Sequence, residues 1–318
     1  MTRWTADDVP SLVGRTALVT GANSGIGFET AAELARHGAR VLFSARSAEK
    51  AKAAMDRLIV AVPGAQLEFI LIDLADLDSV ASAASRIRRE FRRLDLLVNN
   101  AGLMAVPQRM TTAQGFELQM GTNHFGHFAL TGRLLPLLLE TADARVVTVS
   151  SIAHKRAHMD LEDLDSVVSY SPFGAYGSSK LANVLFFTEL DRRARKANRS
   201  LISVGAHPGL AGTNLGVAGQ RATGGRHSKL RRGFEQVVFG AGYHLISQSA
   251  ASGALPSLYA ATAPGVEGGQ FFGPSGPGEL WGLPRRRAIT AAGRNVEMAR
   301  RLFEQSIEVT GVDFAELN

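Results

Sequence analysis

The sequence predicts an α/β protein: a doubly wound, mainly parallel sheet of seven strands with helices on both faces, folded as a single domain. Three observations predict it. Short apolar runs alternate with longer segments of helical spacing, the rhythm that parallel strands joined by helical crossovers require. A glycine-rich turn falls between the first run and the first helix. No linker and no internal repeat of fixed period interrupts the 318 residues.

Residues 16–20, Thr-Ala-Leu-Val-Thr, form the first strand. The helix over 25–37 places Ile26, Thr30 and Leu34 on one side, and Gly38 stops it. A second strand at 40–44 leads into a helix over 48–60, and Pro63-Gly64 turns the chain into a third strand at 67–72. A helix over 76–92 and a strand at 94–98 follow, then a long helix over 116–139 and a fifth strand at 145–149. A helix over 173–196 precedes the sixth strand, 201–206. The stretch 216–233, rich in Gly and Arg, reads as loop. Beyond it Phe234, Val237, Val238, Ala241, His244 and Leu245 make an apolar helical stripe suited to core packing, with a substrate lid or a lipid contact as the other uses. Residues 269–272 supply the last strand. The core is thus 14–215, and 216–318 carries lid and closing elements.

Composition narrows the function classes. With 45% hydrophobic residues the chain has apolar matter for a large core, which excludes a disordered or collagen-like protein. Cysteine is absent, so disulfide scaffolds, zinc-thiolate sites and cysteine nucleophiles are excluded, and a reducing, cytoplasmic home is expected. The excess of 35 Lys+Arg over 29 Asp+Glu is scattered in short groups without a nucleic-acid-binding signature, so solvated helix faces are the expectation rather than DNA or RNA binding. Residues 1–10 lack the apolar run of a secretory signal, and no apolar run suits a membrane span. His124/His127 and His154/His158 have helical spacing but no metal-binding motif around them, so no metal is assigned.

Two constellations carry chemistry. The turn Thr20-Gly21-Ala22-Asn23-Ser24-Gly25-Ile26-Gly27 joins a strand end to a helix start. Its glycines let backbone approach a pyrophosphate, whose charge the helix N-terminus attracts. The spacing Gly-x3-Gly-x-Gly differs from G-x-G-x-x-G, and a purely structural turn is the competing reading. The second constellation is Tyr176 with Lys180, four residues apart and so on one helix face. A free phenol titrates near pH 10; making it a proton donor and acceptor near neutrality takes roughly 4 kcal/mol of phenolate stabilisation, which an adjacent ammonium supplies. Ser150 and Ser151 end the fifth strand at the carboxyl edge, where open α/β sheets bind ligands, and adjacency leaves the choice between them open.

In order along the chain, this glycine turn, Asp73-Leu74 after the third strand, Asn99-Asn100-Ala101-Gly102 after the fourth, Asn123, Ser151, Tyr176-x3-Lys180 and Pro208-Gly209 with Thr213 resemble the short-chain dehydrogenase/reductase family over residues 14–215. The phrases at 122–128 and 176–183 resemble its retinol dehydrogenase-like branch. The resemblance implies a Rossmann-type fold. It implies Tyr176 as general acid/base, Lys180 holding the ribose and lowering the tyrosine's pKa, Ser151 on the substrate carbonyl, and Asn123 holding a water that links Lys180 to solvent. It places Gly21, Asn23, Ser24, Gly25, Ile26, Gly27, Asn100, Ala101, Gly102, Pro208 and Gly209 along the cofactor, Asp73 and Leu74 at the adenine, and Thr213 at the nicotinamide amide. Asn99 and Asn100 also brace the sheet. Family members often pair through the two long helices, so a homodimer or homotetramer is expected.

Charge at the end of the second strand selects the cofactor. An NAD enzyme places a carboxylate there for the ribose hydroxyls, whereas this chain has Ala45 followed by Arg46, whose guanidinium suits a 2′-phosphate. NADP is therefore expected over NAD, although Ser24 stands where many NADP-preferring relatives carry a basic residue. The expected activity is hydride transfer between NADP(H) and a carbonyl/alcohol pair on a fairly apolar small molecule. The alternative is a silent NADP(H)-binding sensor on the same fold. The residues between Ser151 and Tyr176, with acidic positions from Asp160 to Asp165, are expected to shape the pocket.

Overall fold

The computed structural model describes residues 3–211 and 248–317. Its strands are β1 (Thr16–Val19), β2 (Arg40–Ala45), β3 (Gln66–Leu71), β4 (Leu96–Asn99), β5 (Arg145–Val149), β6 (Ile202–Ala206), β7 (Phe271–Pro274) and β8 (Pro284–Arg287). They form one sheet in the order β3-β2-β1-β4-β5-β6-β7-β8. β1 to β7 run parallel, and β8 pairs antiparallel with β7. The chain reverses its direction of travel across the sheet between β1 and β4. The carboxyl ends of those two strands therefore flank a crevice.

The helices are α1 (Gly25–Arg36), α2 (Ala48–Ala61), α3 (Leu77–Glu90), α4 (Leu118–Met120), α5 (Gly126–Glu140), α6 (Pro172–Lys196), α7 (Ala250–Thr262) and α8 (Val296–Thr310). Side chains alternate across the strands and build a core on each face. Ala17, Val19, Val41 and Phe43 pack with Leu34 of α1, Leu58 of α2 and Leu258 of α7. Leu18, Leu42 and Leu97 point the other way, toward Val80 of α3, Leu134 of α5, Phe186 of α6 and Phe303 of α8.

Three expectations change. The sheet has eight strands rather than seven. Residues 284–287 read Pro-Arg-Arg-Arg, which carries no apolar alternation, but an edge strand needs only one row of backbone partners and tolerates charge and an initial proline. The long helix expected over 116–139 is broken by a π-helical turn at Gly121–Phe125, between α4 and α5. That turn carries Asn123, and such turns recur where a helix must present a functional group. Third, the pairing face expected on the two long helices is covered by the chain's own C-terminus. α6 has no exposed residue from Ala175 to Asp191, and α5 none before Glu140. Phe303 of α8 meets Phe128 edge-on and Phe314 of the tail meets it tilted, each with centroids 4.9 Å apart, and a Cβ on Gly132 would sit 2.6 Å from Val312. The expected loop 216–233, the stripe from Phe234 to Leu245, and Thr213 lie outside the described residues.

Candidate active site

The glycine turn leaves β1 at the crevice. Gly21 and Gly25 hold positive φ, +66° and +57°, where a side chain would be strained. A Cβ on Gly27 would lie 2.5 Å from Asn100 Nδ2 and collide with the Gly21 carbonyl, so its lack of a side chain lets α1 pack close to β1 and β4. The neighbouring strand end is fastened to the same turn. Asn100 Nδ2 donates to the Thr20 carbonyl at 2.8 Å, and the Asn100 and Ala101 amides donate to Thr20 Oγ1 at 2.8 and 3.0 Å. Ser24 precedes α1 but makes no side-chain cap, whereas Ser47, Asp76, Ser171, Ser249 and Asn295 cap α2, α3, α6, α7 and α8. The α1 N-terminus thus keeps its dipole and first-turn donors directed into the crevice.

From this turn a cavity of about 520 Å³ runs along the carboxyl edge of the sheet. Gly21, Asn23, Ser24, Gly25, Ile26 and Gly27 form its floor, with Asn100, Ala101 and Gly102 opposite. One end is walled by Arg46, Asp73 and Leu74, the other by Ser150, Tyr176, Lys180 and Pro208. Asp73 Oδ1 accepts from the Ala75 amide at 3.0 Å, which fixes the turn that presents the carboxylate. Lys50 and Arg57 of α2 also reach this first end, and Arg57 lies 4.8 Å over the Phe28 ring. The sequence reading missed both. Their signal was legible: Lys50, Ala53, Ala54 and Arg57 follow helical spacing, two small residues between two cations.

At the other end, β5 and α6 bring the chemistry together. Lys180 is 4% exposed, and its Nζ donates to the Val149 carbonyl at 3.1 Å and lies 5.9 Å from the Tyr176 ring centroid. Burial pulls the lysine pKa down from 10.5 to about 8. Gly102 leaves room for this group, since a Cβ there would stand 3.4 Å from Lys180 Nζ and 3.0 Å from Asn123 Oδ1. The two serines separate by partner. Ser150 is buried and its hydroxyl donates to the Lys180 carbonyl at 2.7 Å, a structural bond. Ser151 Oγ accepts from the Ala153 amide at 3.2 Å, and Ser151 stands just behind Ser150, which is the serine that lines the cavity.

Asn123 is fully buried behind the cavity wall. Its Oδ1 accepts from the Leu103 amide at 2.8 Å, and its Nδ2 donates to the Leu103 carbonyl at 3.0 Å and Ser179 Oγ at 2.9 Å. The side chain is therefore spent on joining the 100–103 loop to α6, and any water-holding role falls to the backbone carbonyl. That carbonyl accepts from His127 Nδ1 at 3.0 Å, so His127 Nε2 is the ring's acceptor and accepts a hydrogen bond from the Thr20 hydroxyl at 2.9 Å. Burial, with a smaller effect from Lys180, holds His127 down to about 4 and hence neutral. This histidine closes a circuit from the glycine turn to Asn123 that the sequence reading did not find.

Gly209 stands behind Pro208 rather than on the cavity wall, and its φ of +69° lets the turn pass Leu280. No residue between Ser151 and Tyr176 lines this cavity. Instead that segment bonds to neighbouring loops, Asp165 Oδ1 to the Glu117 amide at 2.8 Å and Tyr170 hydroxyl to the Val106 carbonyl at 2.6 Å, so its expected effect on the pocket is indirect. Among the described residues no His/Cys/Asp/Glu cluster could hold a metal, and no helix is long and apolar enough to cross a membrane.

A glycine-cradled cavity at the switch point of a parallel sheet, ending on a Tyr/Lys pair, defines a nucleotide-dependent oxidoreductase class. The family model described as short chain dehydrogenase matches residues 15–221. Retinol dehydrogenase 13 of Homo sapiens is 38% identical, the match covering 95% of this chain and 86% of the relative. Among solved structures, a putative uncharacterized protein from Mycobacterium Paratuberculosis superposes with a TM-score of 0.79 at 39% identity, covering 98% of this chain and 99% of the other. The Pseudomonas aeruginosa RhlG/NADP active-site complex is more distant, with a TM-score of 0.61 at 26% identity over 82% of this chain and 94% of that one. The chain belongs to the short-chain dehydrogenase family of oxidoreductases, in its retinol dehydrogenase-like branch.

Proposed function

We propose that the protein transfers hydride between NADP(H) and a carbonyl/alcohol pair on a fairly apolar small molecule, with Tyr176 as general acid/base. The observation that carries this is the single cavity joining the glycine turn to Tyr176 and Lys180. The cradle fits a dinucleotide: uncapped helix donors lie at its middle, cations at one end and an ammonium at the other. NADP(H), when bound, supplies or takes the hydride. The chain's own groups handle the oxygen. In reduction Ser151 donates a hydrogen bond to the carbonyl oxygen, and Tyr176 delivers its proton there as the C=O π bond opens. Lys180 stabilises the phenolate left behind. Oxidation reverses each step.

Arg46, with Lys50 and Arg57 beyond it, favours a 2′-phosphate, and no carboxylate stands at Ala45 to bind ribose hydroxyls alone. The structure described as an RhlG/NADP active-site complex and a relative named for retinol support the cofactor and an apolar substrate. The protein is expected in the cytoplasm, and a homodimer or homotetramer is expected to pair outside the buried stretches of α5 and α6.

Melting curves with NADPH, NADH and no ligand, followed by a carbonyl panel monitored by NADPH oxidation, test the proposal. NADPH should raise the melting point more than NADH. Tyr176→Phe should bind NADPH within a few-fold of wild type yet lose turnover by about a thousandfold or more. A wild-type chain that binds NADPH but oxidises it with no carbonyl would instead favour the sensor.

A further inference from the structure

The short turn between β7 and β8 carries an arrangement that the hydride-transfer roles leave unused. Glu279 has a φ of +59° directly after Gly278 at +60°, a left-handed pair that a glutamate adopts only when its surroundings hold it there. Its mostly buried carboxylate reaches groups from three other segments. Oε2 lies 2.9 Å from His207 Nε2, Oε1 lies 2.8 Å from Lys155 Nζ, and Arg287 Nε stands at 3.8 Å. Hydrogen bonding from His207, with Lys155 adding to it, keeps this carboxyl ionised, down to about 2.

Each arm ends at the proposed site. His207 is fully buried at the exit of β6, and its Nδ1 accepts the Gly209 amide at 3.2 Å. A backbone amide only donates, so the neutral ring must carry its proton on Nε2, and that N–H donates a hydrogen bond to Glu279. The next backbone link has the same direction, Leu210 N–H to the Leu280 carbonyl at 2.7 Å. Lys155 belongs to the 3-10 turn Ile152–Arg156, which Ser151 caps. One carboxylate therefore spans the serine turn and the Pro208 edge of the cavity.

We propose that Glu279 is a positioning residue that clamps the turn after Ser151 to the His207–Gly209 exit of β6, fixing the gap between the substrate-carbonyl and nicotinamide sides of the cleft. The functional half of this statement rests on the hydride-transfer reading; the clamp itself does not.

Lys155→Met separates the arms, releasing the serine turn while leaving His207 bonded. Glu279→Gln does the same by another route: its oxygen accepts from His207 Nε2–H, so the Gly209 bond survives, and its amide is left facing the part-exposed Lys155 ammonium. Hydrogen exchange on the full chain without cofactor reads both arms. Lys155→Met and Glu279→Gln should each speed exchange at 153–157 by about tenfold or more, the scale of one lost charge-assisted hydrogen bond, with Gly209 and Leu210 within about twofold of wild type. Glu279→Ala should loosen both segments while 40–72 stays protected. Uniformly faster exchange, or loosening confined to 275–287, would overturn the clamp.

On a carbonyl that wild type reduces, Glu279→Ala should lower kcat by about tenfold with the KM for NADPH within about twofold, because only alignment of the reacting ends is lost. An unchanged kcat would overturn the positioning role. A wild type with no turnover would sink the hydride-transfer reading, and the exchange pattern would still decide the clamp.

Discussion

Replacing Lys180 by Met should stabilise the fold while removing turnover. The ammonium is 4% exposed, and burial lowers its pKa from 10.5 to about 8, a difference of about 2.5. At about 1.4 kcal/mol for each, the native state bears a penalty of about 3 kcal/mol for holding that charge. The lost hydrogen bond returns about 1 kcal/mol of it, but the Val149 carbonyl does not become an orphan, since Asn183 Nδ2 also donates to it at 3.0 Å. Met follows the lysine stem in length, so the net gain at pH 7 should be about 2 kcal/mol. The pH dependence identifies the cause. Below pH 8 the lysine is protonated in both folded and unfolded chains and the full penalty stands; between 8 and 10.5 the unfolded chain binds more protons, so wild-type stability rises with pH relative to the variant. Urea unfolding of both proteins at pH 7 and pH 10 should therefore show the gap shrinking by roughly 2 kcal/mol. A Lys180→Met protein less stable than wild type at pH 7, or a gap indifferent to pH, would refute the claim that the cavity stores unfavourable charge for catalysis.

In steady-state reduction, kcat/KM at limiting NADPH should fall as pH rises through about 8, because Lys180 then loses the proton whose charge supports the Tyr176 phenolate; a profile flat to pH 10 would count against that role. Arg46→Glu should weaken NADP(H) binding by roughly ten- to hundredfold in a titration while leaving NAD(H) within a few-fold, and an equal loss for both would remove Arg46 from the 2′-phosphate. Gly132→Val should cost about 1–3 kcal/mol in urea unfolding, since the added carbons would fall on Val312 and on Phe314, the latter 2.9 Å from an ideal Cβ; unchanged stability would mean that the tail does not dock on α5 as described.

The legible parts of the molecule are those set by local chain chemistry. β1 through β6 announce themselves as apolar runs closed by glycine, proline or polar residues, and each strand end delivers a cavity-lining segment in chain order: Gly21, Arg46, Asp73, Asn100, Ser150 and Pro208. A parallel sheet gathers all its carboxyl ends on one edge, so residues distant in sequence become neighbours without any need to know their contacts. α8 was also within reach. Asn295 caps it, Gly311 ends it at a φ of +64°, and Ala299, Leu302, Phe303 and Ser306 keep helical spacing, but the arginines between them suggest only a solvated surface.

Loop-to-loop closures were not legible, because a hydrogen bond has no periodicity to betray it. Nothing near Thr20 points to His127, 107 residues away, and nothing near His207 points to Glu279, 72 residues on. Each of these bonds forms only after the sheet order has set the distance between its partners, and each then fixes a segment whose local preferences leave it loose. The division follows the physics of the fold: the strand ends decide which groups meet at the cavity, while closures between distant loops set how closely those groups are held.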